Sequence, residues 1–189
     1  ILIEYKMKKK KILSFFNSDK FKIILSILAL IAFILPLIKF YQSLIFILIL
    51  SLFNSFLMIY ERYVDLPIDL ELTTFNVFFI TYKYNLFFGI LAGFISNLAA
   101  MIMNKDFSSE SIFAITSYFL LAFVLNFFKF LNPVIVWFLA MFFYNLINLS
   151  IYKFVLAFHD KETMMYLTTN LAFNLFIFLV FKDVVLYFL

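Results

Sequence analysis

Apolar residues run through this chain in long blocks separated by short polar breaks. A hydrocarbon core about 30 Å thick takes roughly 20 residues of helix, so the blocks predict membrane-crossing helices. The first runs from Phe21 to Ile38, with Pro36 near its end and Lys39 at its boundary, and the second from about Ser43 to Tyr60. A polar stretch with Glu61, Arg62, Asp65, Asp69 and Glu71 follows. Pro67 interrupts it, removing a backbone donor and favouring extended chain just before. A short segment, Leu72 to Tyr82, stops at Lys83. The remaining blocks are Tyr84 to Met103, Ser111 to Phe128, Val134 to Tyr152 and Thr163 to Phe181. Ser108 or Ser109 is placed to cap the block that ends at Phe128. The pattern predicts an all-α membrane protein, a bundle of six or seven transmembrane helices forming one polytopic domain over residues 21–189 after a basic tail over residues 1–20.

Composition narrows the class. Apolar residues make up 66% of the 189 positions and charged residues 14%, and the mean hydropathy is +1.08; no water-soluble surface can be built from that. Seven spans with short loops fill the length and leave no room for a soluble domain. Cysteine is absent, which excludes disulfides and thiolate metal sites. The net charge of +4 comes mostly from Lys6, Lys8, Lys9, Lys10, Lys11, Lys20 and Lys22. Such a tail belongs on the cytoplasmic side of the cell membrane, beside anionic lipid, rather than on nucleic acid. Met7, opening the lysine run, reads as the natural start. The run from Phe21 is too long for the apolar part of a cleaved signal.

Within the apolar blocks, Gly89, Gly93 and Asn97 recur every four residues and share one helix face with Ala92 and Ser96. Small residues so spaced let another backbone approach closely, which suits a packing groove or a partner face. Glu71, Thr74, Asn145, Asn148, Asn170 and Asn174 are polar groups in or at the edge of apolar helices, and each needs a partner there. They serve either as interhelical hydrogen bonds or as contacts to a small solute in a polar cavity. The acidic residues before Glu71 read as a solvated loop, with Glu71 the exception because it opens an apolar segment. His159 reads as a surface residue and Trp137 as a packing or interfacial aromatic. No nucleophile elbow, HExxH, zinc pattern or Gly-rich phosphate loop occurs. These readings point to a protein that is not an enzyme and uses no cofactor or metal.

Leu66, Pro67, Ile68, Asp69 and Leu70 lead into an apolar helix, and the next helix carries Gly89, Gly93, Asn97 and Leu98; Ser111 to Phe128 follows a short polar loop. This arrangement resembles MreD, a family of small bacterial membrane proteins, with Asn97 standing where that family usually has Asp. Asn170 matches a polar residue of its last helix. MreD-like proteins share a six-helix fold with the substrate-binding S components of energy-coupling-factor vitamin transporters. The first resemblance implies a non-enzymatic scaffold in the cell membrane that contacts other integral proteins of the envelope-synthesis machinery. The second implies a protein that binds a vitamin-like solute and docks on a coupling subunit with its ATPases.

Overall fold

The computed structural model describes residues 19–59, 63, 69–156 and 160–188. The tail up to residue 18 with Met7, then Glu61, Arg62, Asp65 and Pro67 of the polar stretch, and His159, lie outside the described residues. Those described form six helices and no strand: α1 Asp19–Met58, α2 Thr73–Lys83, α3 Leu86–Asn104, α4 Ser109–Phe128, α5 Pro133–Phe154 and α6 Asp160–Phe188. The chain divides into two compact units, Ile1–Gln42 and Ser43–Leu189. In the first, every described side chain from Leu30 to Gln42 is exposed.

One helix, α1, stands where the hydropathy pattern predicts two spans with a break near Lys39. Pro36 lies inside it. Between Ile38 and Ser43 there is neither a glycine nor a second proline to turn the chain, so the helix continues past the one hydrogen bond that Pro36 removes. The other helices start where local chemistry supplies a cap. Asn85 accepts from the Phe88 N–H, Ser108 from that of Ser111, and Asn132 from that of Val134, with Pro133 at the first helical position. The α3 helix ends at Lys105, whose φ of 56° lies in the left-handed region. There the Asp106 N–H closes back onto the Met101 carbonyl at 3.1 Å.

Among the described residues five helices are long and apolar enough to cross a membrane: Leu30–Met58 within α1, then α3, α4, α5, and Thr163–Phe188 within α6. The α2 helix has 11 residues, about 16 Å of rise, and falls well short of the hydrocarbon thickness. It is the centre of the second unit, touching α3, α4, α5 and α6. Every residue from Thr73 to Thr81 is buried. Trp137 of α5 packs edge-on to Phe78 with ring centroids 4.8 Å apart and stacks on Phe178 of α6 at 5.1 Å, so this tryptophan is core.

On α1 and α6 polar side chains are concentrated on the inward face, beside an otherwise apolar core. On α1 the buried positions of the second unit are Ser43, Ile47, Ser51, Asn54 and Ser55, while Leu48, Leu52, Phe53 and Phe56 face out. On α6, Thr163, Asn170 and Asn174 are buried, and Leu171, Phe176 and Leu179 are exposed. Water would penalise that outer surface; lipid tails do not, and polar side chains turned inward bind helix to helix.

Candidate functional site

The chain enters α2 without a side chain of its own at the N-cap: Leu72 holds that position. The free N–H groups of a first turn need acceptors, and they draw them from other helices. The Leu72 N–H donates to Asn54 Oδ1 of α1 at 2.5 Å. Glu71, one residue earlier, is only 2% exposed, and its carboxylate lies at the positive end of the α2 dipole.

Three side chains donate to that carboxylate. Thr74 Oγ1 reaches Oε1 at 2.6 Å, Asn170 Nδ2 reaches Oε1 at 3.3 Å, and Tyr118 OH reaches Oε2 at 2.6 Å. All three are neutral. Tyr144 OH donates to Tyr118 OH at 3.1 Å, and the two rings stack at 5.5 Å, so a chain of hydroxyls extends from Glu71 across α4 to α5. Asp69 joins from the other side. Asn170 Nδ2 donates to its Oδ2 at 2.9 Å, its Oδ1 accepts from the Glu71 N–H at 3.2 Å, and its own N–H meets Thr169 Oγ1 at 3.0 Å. Asn174 Nδ2 donates to the Glu71 carbonyl at 3.3 Å. The Asn170 amide is fixed in this sense, because the opposite one would set its oxygen against two carboxylates.

Behind this centre lies a second polar cluster. Ser51 of α1 and Ser96 of α3 share a hydrogen bond of 2.8 Å, and Asn76 of α2 donates to Ser96 at 2.5 Å and to Ser51 at 3.3 Å. The oxygens Asn76 Oδ1, Asn170 Oδ1 and Asn174 Oδ1 are buried without a protein donor, and one buried amide nitrogen, Asn54 Nδ2, lacks an acceptor. A buried polar atom without a partner costs about 1–3 kcal/mol. Around Glu71 the buried amide oxygens left without a donor thus outnumber the amide nitrogens left without an acceptor.

The structure thus brings Glu71, Thr74, Asn170 and Asn174 together, and joins to them Asp69, which the sequence places in a solvated loop. Asn148 lies elsewhere, accepting from Ser117 at 2.6 Å between α4 and α5, and Asn145 Nδ2 bonds the Met141 carbonyl of its own helix. The face of α3 with Gly89, Gly93 and Asn97 is turned into the bundle. A Cβ on Gly89 would collide with Thr81 Oγ1, and one on Gly93 would lie 2.6 Å from Tyr118 Cβ and 3.1 Å from Val77 Cγ2. Asn97 Nδ2 donates to the Ser111 carbonyl at 2.7 Å. Sequence reasoning missed Tyr118, Tyr144 and Asn54. Nothing distinguishes these two tyrosines among eleven, and the polar stripe of Ser51, Asn54 and Ser55 on α1 was the one readable signal for the third.

At the opposite end of α2, Lys129 Nζ donates to the Tyr84 carbonyl at 3.0 Å, and burial lowers the pKa of this ammonium. Among the described residues no group of three or more His, Cys, Asp or Glu side chains gathers as metal ligands. No protein-family model, curated protein or solved structure matches the chain.

Proposed function

We propose that this chain is a non-enzymatic, multi-pass membrane protein that binds a small cationic solute at the Glu71 centre, as the solute-binding member of an uptake system of the S-component type. The observation that carries this reading is the imbalance around Glu71. A carboxylate 2% exposed has only neutral donors, and three buried amide oxygens nearby have none. A ligand that supplies positive charge and N–H groups, or a bare monovalent cation, completes that set. Ionisable groups inside membrane bundles mark such pathways. Among the described residues the helices number six, as in the fold shared by MreD and S components, with α2 as the buried member. The N-terminus lies on the cytoplasmic side of the cell membrane in this reading.

The test is thermal stabilisation and calorimetric titration of the purified protein in lipid nanodiscs with sodium, potassium, ammonium and a panel of singly charged organic amines. One of these should stabilise the protein, and Glu71→Gln should abolish the effect while the variant remains monodisperse. A variant that binds as well as the parent, or a parent that no cation stabilises, overturns the proposal.

A second reading is the MreD-like scaffold of the envelope-synthesis machinery. It is favoured by the way the small-residue face of α3 is filled by Thr81, Val77 and Tyr118 of the same bundle, which gives a rigid body with outward aromatic residues such as Phe87 and Phe94 left for partners. Purification from the native host in mild detergent separates the two. Cell-wall synthesis proteins in the eluate support the scaffold, and a coupling subunit with an ATPase supports uptake.

A further inference from the structure

Between the Ser43–Met58 portion of α1, the helix α2 and the C-terminal half of α6 runs a groove of about 330 Å³, walled by side chains such as Phe46, Leu50, Phe75, Phe79, Val185 and Phe188. Its walls are wholly apolar, and it runs along α2 from Leu72, the residue after Glu71, to Phe79, so that its far end adjoins Lys83.

One end of the groove is cationic. The Lys83 ammonium lies 5.7 to 5.9 Å from the ring centroids of Phe46, Phe79 and Phe188, three of the groove's own walls, and donates to the Phe188 carbonyl. Lys129 is bound to the carbonyl of Tyr84, the residue next to Lys83. Among the described residues neither lysine has a carboxylate partner. Both are held by backbone carbonyls alone, with aromatic faces around Lys83. Carbonyl oxygens and ring faces steady an ammonium without neutralising it, so the Lys83 charge stands at the end of a channel that only hydrocarbon can fill, with the Lys129 charge held on the next residue's carbonyl. An uncharged tail with a charged end of the opposite sign is the chemistry of an anionic phospholipid.

We propose that this groove holds one acyl chain of an anionic phospholipid, whose phosphate is taken by Lys83 and Lys129. The groove shares no polar side chain with the Glu71 centre, and the proposal does not depend on what that centre binds.

The test is native mass spectrometry of the full chain released from detergent carrying equal amounts of phosphatidylglycerol and phosphatidylcholine with identical tails. Phosphatidylglycerol should be retained one per chain and preferred over phosphatidylcholine by a factor that each lysine multiplies by roughly five. Lys83→Gln should remove about five-fold of that preference, Lys83→Arg should keep it, and Leu50→Trp, which fills the groove without touching charge, should reduce retention of both lipids. Equal retention of the two lipids by the parent overturns the proposal. So does loss of phosphatidylglycerol in Lys83→Gln with full retention in Leu50→Trp, since that result means a headgroup contact with no seated tail. Lys129→Gln gives an independent reading should Lys83→Gln fail to accumulate.

Discussion

Gly93 links packing to the polar centre through a single missing carbon. A Cβ there would stand 2.6 Å from Tyr118 Cβ, and Tyr118 is the residue whose hydroxyl holds Glu71 Oε2. Gly93→Ala should therefore push Tyr118 away and loosen a charged hydrogen bond as well as overpack the helix pair. The expected cost is about 1–3 kcal/mol of stability, read as a lowered unfolding midpoint in detergent. Tyr118→Phe in the same background separates the two effects: once the hydroxyl is gone, Gly93→Ala should cost less, because only the steric part is left. At this scale the sequence was informative about which residues are unusual and silent about whom they meet. Glu71 stood out as a carboxylate opening an apolar segment. Its partners Tyr118 and Asn170 lie 47 and 99 residues away, a distance that no local spacing encodes.

The element that departs most from the hydropathy pattern is α1, continuous through Pro36, whereas α4, expected over Ser111 to Phe128, runs over Ser109–Phe128. The difference is physical. Boundaries that are made by capping chemistry, such as Asn85, Ser108 and Asn132 with Pro133, are written locally and can be read locally. The break expected near Lys39 rested on one charge and one proline, and an apolar helix loses only one backbone bond at the proline and closes the others past it. The start of α2 is the reverse case, because its acceptor is borrowed from α1. Asn54→Ala should leave the Leu72 N–H unsatisfied and cost about 1–3 kcal/mol, more than an exposed cap would. Hydrogen exchange should show the effect as faster exchange confined to the first turn of α2. An unchanged exchange pattern would mean that α2 starts without help from α1.

For the whole molecule, the composition anticipated helices long and apolar enough to cross a membrane, and among the described residues five are so. It does not fix the crossing pattern, because α2 is apolar and buried yet too short to cross. Since the chain has no cysteine, single cysteines can report each loop. Cysteines at Lys105 and Lys129 flank α4 and should label from opposite sides of sealed vesicles, whereas one at Phe94, exposed on the middle of α3, should resist a membrane-impermeant reagent. Labelling of Lys105 and Lys129 from the same side would remove α4 from the set of crossing helices.

The shortness of α2 also bears on how the protein is made. A helix of 11 residues buried on every side has no lipid-facing surface to recommend it to the bilayer, and its first turn depends on Asn54, made before it, and on Asn174, made long after. The Asn174 donor comes 103 residues after the Glu71 carbonyl that it meets, so the entry to α2 is fully bonded only once α6 has packed beside it.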